Sequence, residues 1–300
     1  MHYKSLFHTL PCGSKLHLMS IKASDESKGI PVLMIHGMVE DGRIFYHHSG
    51  KGLGSYLAKH GYDVYVADLR GLGKSTPKIH RNSEHGQTET IVTDIPALIN
   101  FVLEQTQHPQ LHLVAHSWGG VNINASLLRF PKLADKVISA SYFGSKRRIR
   151  TKNFERFFKV DIFWNRLGLV ISHKKGFLPA KALKVGSENE TLKTHIQCVE
   201  WVKKDEWIDS DDNFNYNEAA KNNNLPATLY IAAIKDRALG HKDDVKLFMD
   251  ESKNNRCKYL FLSKKLGNAL DYNHINMLTA PEAIKDHFPK VLKWMHSHEK

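Results

Sequence analysis

The feature that most constrains the fold is a regular alternation of short apolar runs with longer amphipathic stretches. Each apolar run has five to eight residues and is bounded by a turn. Such runs are too short for helices, and their Val, Ile and Tyr content favours buried parallel strands. We predict strands over 31–35, 62–67, 111–115, 136–143, 227–234 and 258–262.

The intervals between these runs carry the periodicity of helices. A polar/apolar alternation around Pro11 and Gly13 predicts an antiparallel hairpin at the start of the chain, and 41% hydrophobic and 25% charged residues are ordinary globular values. We therefore predict an α/β fold, a mostly parallel doubly wound sheet with an antiparallel N-terminal hairpin. Helices are expected over 50–60, 88–107, 118–130, 241–254 and 281–296.

One long stretch interrupts the alternation. Residues 144–222 lie between two predicted strands and are too many for a simple connection. We predict a core made of 1–143 and 223–300, with 144–222 as a helical insertion packed over one edge of the sheet. Its many aromatic side chains either form the insertion's own core or line an apolar pocket, and the two interpretations are compatible.

The strongest local motif surrounds Ser117. An apolar strand runs into Ala115-His116-Ser117-Trp118-Gly119 and then into a helical pattern. A nucleophile needs such a sharp turn to expose its hydroxyl, and small residues two positions to either side let neighbouring backbone approach. The alternative is that Ser117 only caps the helix that follows it.

The strand over 31–35 ends in His36-Gly37-Met38. Acyl transfer needs backbone N–H groups that point at a developing oxyanion. A turn at Gly37 would let the N–H of Met38 serve as one donor, and the N–H of Trp118 would be the second. We expect His36 to brace this loop and to take no part in the chemistry.

A serine nucleophile needs a histidine base and a carboxylate that orients it. Asp236 follows the strand over 227–234, and His274 lies in the loop after the last strand. Strand ends of this kind meet at one edge of a parallel sheet, and the order Ser117, Asp236, His274 is that of α/β-hydrolase triads. The other acidic candidates are Asp243 and Asp244, which suit the first turn of a helix, and Asp271, which suits a loop cap.

With these motifs, the chain resembles the α/β-hydrolase superfamily and, within it, the lipase and esterase branch. The matching stretches are 35–38, 67–75, 115–119, 235–237 and 273–275. The resemblance implies a Ser-His-Asp hydrolase that works through an acyl-enzyme, with an oxyanion hole and with 144–222 as its cap or lid. The departures are Ala115 and Asn273, which stand where the family commonly has glycine.

The apolar insertion favours a small hydrophobic ester or acyl substrate, and we expect a carboxylesterase or lipase. The alternatives are a thioester hydrolase, a non-catalytic ligand-binding member of the fold, and an aminopeptidase-type enzyme. The last would need carboxylates in its pocket to bind an α-ammonium group. The insertion offers Glu200, Asp205 and Glu206 for this role.

Other partners and cofactors are not expected. There is no H-E-x-x-H pattern, and Gly73-Lys74-Ser75 lacks the earlier glycine of a P-loop, because position 68 is Asp. We therefore expect no metal, no cofactor, no nucleic acid and no obligate protein partner. Three scattered cysteines and an N-terminus without a continuous apolar segment predict a cytoplasmic protein.

The net charge of +12 is concentrated locally. Residues 143–186 hold twelve basic and two acidic residues, whereas 187–222 hold four basic and nine acidic ones. The basic excess is either a solvated face or a site of weak contact between 146–159 and an anionic membrane surface.

Overall fold

The computed structural model describes residues 1–24, 28–222 and 224–299, and eight of its strands form one twisted sheet. The strand order is β1-β2-β4-β3-β5-β6-β9-β10. The hairpin β1–β2 and the pair β2–β4 are antiparallel, and all other pairs are parallel, so the predicted α/β fold is confirmed. The strands are β1 His2–Thr9, β2 Lys15–Lys22, β3 Pro31–Ile35, β4 Asp63–Asp68, β5 Leu111–His116, β6 Val137–Phe143, β9 Ala227–Ala233 and β10 Cys257–Leu262, with β7 Phe177–Leu178 and β8 Glu190–Thr191 in a separate ribbon.

The central strands are buried on both faces, which explains their nearly continuous apolar sequences. In β5, Leu113 and Ala115 join the core on one side of the sheet, and Val114 joins the core on the other. This alternation follows from the two-residue repeat of a strand. Helices therefore cover both faces, as a doubly wound sheet requires.

Besides short helices outside the predicted intervals, all five predicted intervals contain helices, some of them 3₁₀ or π-helical. One of them differs from its prediction. The stretch 281–296 is two helices, because the chain turns at Asp286, whose carboxylate accepts hydrogen bonds from the Tyr272 hydroxyl and the Ala269 N–H. The helices are Gly42–Ile44, Leu53–Lys59, Gln87–Glu89, Thr90–Asp94, Ile95–Thr106, Trp118–Arg129, Pro131–Ala134, Phe154–Arg156, Phe157–Gly168, Leu169–Lys175, Leu192–Lys203, Tyr216–Lys221, Lys242–Glu251, Lys264–Leu266, Asn276–Thr279, Pro281–Lys285 and Phe288–His296.

The 144–222 segment follows β6 and precedes β9. It is mainly helical, but it also contains the antiparallel ribbon β7–β8, which the sequence pattern did not predict. Trp201, Trp207 and Tyr216 are buried against one another within it. The predicted boundary at 223, like the end of the core segment at 300, lies outside the described residues.

The basic run at the start of this segment is not a free surface patch. Lys146 and Arg147 are only 6% and 0% exposed. Arg148 and Arg150 both form ion pairs with Asp205. The prediction of an exposed basic run is wrong for Lys146 and Arg147, whereas Arg150 is exposed and pairs with the acidic second half of the segment.

The fold also determines where a site can form. The chain continues from β3 to β4 on one side and from β5 to β6 on the other, while β3 and β5 are neighbours. Connections that leave in opposite directions open a crevice at the carboxyl ends of the two strands, where ligands bind in folds of this kind. Within the described ranges, no helix is long and apolar enough to span a membrane.

Candidate active site

Ser117 lies at the carboxyl end of β5 on a strained turn. Its φ of 50° and ψ of −123° are unusual for a residue with a side chain. Its N–H donates a 2.8 Å hydrogen bond to the carbonyl of Phe143, which ties the turn to β6. The side chain makes no capping hydrogen bond to the helix that starts at Trp118, so the alternative of a simple helix cap is wrong.

Two glycines allow backbone to pass close to this turn. A Cβ at Gly119 would lie 2.6 Å from the carbonyl oxygen of Ile35 and would also collide with that of His36. A Cβ at Gly37 would lie 2.8 Å from the Cβ of Ser117. Both positions need glycine because the backbone of β3 and of the loop after it packs in direct contact with the turn at Ser117.

Asp236 and His274 are brought together although 38 residues separate them. Their loops follow β9 and β10, which are adjacent in the sheet. His274 Nδ1 donates to Asp236 Oδ2 over 2.5 Å, and Asp236 Oδ1 accepts from the N–H groups of Leu239 and Gly240. With Nδ1 carrying the proton, Nε2 of His274 has a free lone pair.

Burial and charge set the protonation of this pair. Burial opposes ionisation of Asp236, but the charge and the hydrogen bond of His274 outweigh it, so the pKa of the carboxyl is lowered. Burial also lowers the pKa of His274, with help from the nearby charges of His116 and Lys146 and against the effect of Asp236. At neutral pH the imidazole is therefore an uncharged base beside a carboxylate.

The two predicted donors of an oxyanion hole are available. Neither the N–H of Met38 nor that of Trp118 has a hydrogen-bond partner among the residues that the structure describes. Met38 lies in the loop after β3. Trp118 is the first residue of a helix, and the N-terminus of a helix carries a partial positive charge.

The sequence reasoning missed an ion pair at the site between His116, which is buried, and Glu40, which is partly buried. His116 Nδ1 bonds to Glu40 Oε1 over 2.6 Å, and its Nε2 donates to the carbonyl of His274 over 2.9 Å. The same Glu40 oxygen accepts the N–H of Gly37. Burial works against charge on both side chains, yet their mutual attraction raises the pKa of His116 and lowers that of Glu40. The pair thus joins the loop after β3 to the backbone of His274.

Nothing in the sequence pattern distinguishes this pair from a surface histidine and a solvated glutamate. The chain has 19 histidines, and Glu40 lies 76 residues from His116. Only the contact of the two loops reveals it.

His36 braces the loop, as expected. Its Nε2 accepts the N–H of Leu69 over 3.0 Å, so its Nδ1 carries the proton and donates to the carbonyl of Gly37 over 2.7 Å. Both ring nitrogens are occupied inside the protein. Asn273 has a comparable role, since its side-chain oxygen accepts the N–H groups of Ile275 and Asn276 and shapes the histidine loop.

The alternative acidic residues lie elsewhere. Asp243 and Asp244 belong to the first turn of the helix Lys242–Glu251, and Asp271 accepts the N–H of Lys264. None of the three lines the cavity described next.

A cavity of about 850 Å³ opens above these residues. Its floor includes Met38, Ser117, Trp118 and His274. The 144–222 segment contributes most of the apolar wall, so its aromatics serve both as its own core and as pocket lining. The wall residues from this segment include Ile149, Phe158, Val160, Phe163, Trp164, Val185, Cys198 and Val202.

The polar residues that line the cavity are not the carboxylates that an aminopeptidase-type site would use. Glu200, Asp205 and Glu206 do not line it, whereas Lys146 does. Glu40 and Asp41 also reach it, but Glu40 bonds to His116 and Asp41 to Arg43. Across the described part of the chain, no three His, Cys, Asp or Glu side chains are grouped so that they could hold a metal ion.

Comparisons with known proteins agree with this architecture. A model of the alpha/beta hydrolase fold matches residues 30–168. A crystal structure of an esterase from Rhodococcus sp. ECU1013 superposes over 100% of both chains with a TM-score of 0.60 at 15% sequence identity. The chain has the alpha/beta hydrolase fold.

Curated relatives match this chain over parts of their length. Sterol esterase 2 of Saccharomyces cerevisiae is 31% identical over 102 residues, which are 32% of this chain and 19% of that protein. Lysosomal acid lipase/cholesteryl ester hydrolase of Homo sapiens is 27% identical over 144 residues, which are 45% of this chain and 34% of that protein. The chain thus spans about a fifth and about a third of the length of these two relatives.

Proposed function

We propose that this α/β hydrolase is a serine hydrolase that cleaves carboxylic esters. The observation that carries the proposal is the hydrogen bond between His274 and Asp236, because His274 lines the same apolar cavity as the strained Ser117 turn. The names of the curated relatives, a sterol esterase and a lysosomal acid lipase, support ester hydrolysis as the reaction.

In the proposed mechanism, the Ser117 hydroxyl attacks the ester carbonyl carbon while Nε2 of His274 takes its proton. The N–H groups of Met38 and Trp118 hold the oxyanion of the tetrahedral intermediate. His274 then gives the proton to the leaving alcohol, and an acyl-enzyme remains. Water, activated by the same imidazole, attacks the acyl group and regenerates Ser117. Throughout, Asp236 holds the proton on Nδ1 and stabilises the imidazolium.

The 144–222 segment acts in this proposal as the cap of the active site. Its apolar side chains form most of the wall above Ser117, which suits a hydrophobic acyl or alcohol group. A cavity of about 850 Å³ is at the upper end of the usual range for small-molecule sites, so the proposed substrates are larger than simple acetate esters.

An aminopeptidase-type activity is less well supported. Such a site would need a carboxylate free to bind an ammonium group, and the carboxylates that reach the cavity are already bonded to His116 or Arg43. The cationic side chain of Lys146 close to Ser117 would repel an α-ammonium group.

The test compares Ser117→Ala with the intact protein on p-nitrophenyl esters of increasing acyl length. The variant should lose activity by a factor on the order of 10⁴ or more, because the nucleophile is gone. Ser126→Ala is the matched control, because Ser126 is buried on the same helix and its hydroxyl has no partner among the described residues. Undiminished turnover by folded Ser117→Ala would show that the proposed nucleophile is wrong.

A further inference from the structure

Lys146 is the cationic side chain nearest to the proposed nucleophile. It follows β6 in the chain, lines the cavity and is only 6% exposed. Its Nζ lies 3.5 Å from the Oγ of Ser117 and 6.0 Å from the centre of the Trp118 ring. The ammonium group therefore points to the place where a bound ester would react.

The neighbouring cations differ from Lys146 in having anionic partners. Arg147 donates from Nε to Glu251 over 2.8 Å and also binds four backbone carbonyls. Arg148 and Arg150 pair with Asp205. Lys146 forms no ion pair with any described residue, and its long hydrogen bond to Ser117 is the one polar contact seen there.

A buried ammonium group that is not bonded to an anion is costly, because a weak hydrogen bond does not replace its lost hydration. Burial accordingly lowers the pKa of Lys146, although the charge of Asp236 acts in the opposite direction. The positive charge of Lys146 also opposes the proposed reaction, because His274 must become positively charged when it takes the proton of Ser117, and the charge of Lys146 disfavours this. An anion supplied by the ligand would offset both effects. We propose that Lys146 binds an anionic group of the substrate, so that the preferred esters carry a carboxylate or phosphate close to the scissile bond.

The geometry limits where that anion can be. A bond from Oγ to the ester carbon adds roughly 1.5 Å, so the scissile carbon lies within a few bonds of any group that Nζ contacts. The rest of the ligand would lie along the apolar wall. The proposed ligand is therefore amphiphilic, with its charge near the reaction centre and an apolar portion in the cavity. This inference rests on the proposed ester hydrolysis.

The first experiment measures substrate preference. Mono-p-nitrophenyl glutarate is compared with p-nitrophenyl pentanoate, which tests an anion on the acyl side. The 3-carboxyphenyl and 3-carbamoylphenyl esters of pentanoic acid test an anion on the leaving-group side. In at least one pair, the intact protein should favour the anionic ester in kcat/KM by roughly 10- to 100-fold, the usual worth of a hydrogen bond to a charged group.

The variants assign the preference to Lys146. Lys146→Met should reduce the anionic-to-neutral ratio of kcat/KM by at least about tenfold, whereas Lys146→Arg, which keeps the cation, should retain a preference for the anionic ester. Lys152→Met is the matched control, since it removes the same charge from an exposed position of the same segment that does not line the cavity. If the intact protein shows no anionic preference in either pair, or Lys146→Met slows both members equally, the proposal is wrong.

A binding experiment separates this proposal from the proposed reaction. Calorimetric titration of Ser117→Ala should show tighter binding of decanoate than of decanamide, and the difference should vanish when Lys146→Met is added. Selective anion binding without any ester hydrolysis would contradict the proposed function and support the Lys146 site. Ester hydrolysis with equal binding of the two ligands would support the proposed function and overturn the Lys146 site.

Discussion

Replacing Glu40 by Gln tests whether the pair that Glu40 forms with His116 carries a charge. Three hydrogen bonds meet there: the N–H of Gly37 and Nδ1–H of His116 both donate to Glu40 Oε1, and Nε2–H of His116 donates to the carbonyl of His274. The pKa of Glu40 is lowered, and with its carboxylate ionised all three bonds exist together only if His116 is protonated at both nitrogens, because each nitrogen then faces an acceptor.

Glutamine cannot preserve this arrangement without leaving a charge unpaired. If the side-chain oxygen of the glutamine accepts the N–H of Gly37 and Nδ1–H of a neutral His116, then Nε2 of His116 carries no proton and cannot donate to the carbonyl of His274. If its amide NH₂ faces them, the N–H of Gly37 has no acceptor. Each neutral arrangement therefore loses one buried hydrogen bond, which costs about 1–3 kcal/mol. We expect Glu40→Gln to lower the free energy of unfolding by about 2 kcal/mol near pH 8.

The loss should be larger in mild acid. The pKa of His116 is raised from 6.5, so its contribution to stability is complete below pH 6.5 and is lost as the pH rises through the folded-state value. The pKa of Glu40 is lowered from 4.5, so its contribution is complete above pH 4.5 and is lost as the pH falls through the folded-state value. At a pH about one unit below the ordinary pKa of histidine, keeping His116 neutral in the folded variant costs about 1.4 kcal/mol more. This cost adds to the loss in the free energy of unfolding.

The measurement is urea unfolding of the intact protein and of Glu40→Gln at about pH 5.5 and pH 8. Glu200→Gln is the control, because its carboxylate is on the surface with only a 4.0 Å ion pair to Lys204, and it should change stability by less than about 0.5 kcal/mol. A Glu40→Gln loss of less than about 0.5 kcal/mol at pH 5.5, or an equal loss at both pH values, would refute the assignment of a buried ion pair.

Three further predictions concern the surrounding structure. Gly119→Ala should unfold the protein or destabilise it by more than about 2 kcal/mol in thermal melts, because the new Cβ would overlap two backbone carbonyl oxygens; a fully stable variant would contradict this contact. The acid limb of the kcat/KM profile should lie below pH 6.5, because activity needs neutral His274 and its pKa is lowered; in Lys146→Met the limb should move to higher pH, and an unchanged limb would mean that the lysine charge does not reach the imidazole. Glu251→Gln should destabilise the protein by about 3 kcal/mol in urea unfolding because it leaves Arg147 buried with reduced charge compensation, and a loss below about 1 kcal/mol would argue against that pair.

Local pattern predicted most of the sheet. The run 31–35 matches β3 at both ends. β4 differs from its prediction by one residue at both ends, and the remaining parallel strands differ by one residue at one end, because strands buried on both faces leave continuous apolar runs. The pattern failed where a distant contact decides the structure. The helix predicted over 281–296 breaks at Asp286, whose carboxylate accepts a hydrogen bond from Tyr272 of another loop, and Pro289 lies in the first turn of the helix that follows.

Local sequence pattern also failed to predict parts of the segment 144–222. Its length and aromatic content predicted an insertion, but the ribbon β7–β8 consists of two-residue strands, which are too short for any alternation to be visible. Its basic run looked like a surface patch, because sequence charge alone does not show that Arg147 is buried against Glu251.

The sequence by itself determined the fold class and the candidate triad of Ser117, Asp236 and His274, because each of these residues directly follows a buried strand or lies in the loop after one. Only the tertiary structure decided how those residues are supported. The Glu40–His116 pair, the glycine contacts at Ser117 and the position of Lys146 beside the nucleophile depend on loops that are distant in sequence and meet at one edge of the sheet. Contacts of that kind leave no periodic trace in the chain, because they involve single side chains whose partners are set by the packing of the whole molecule.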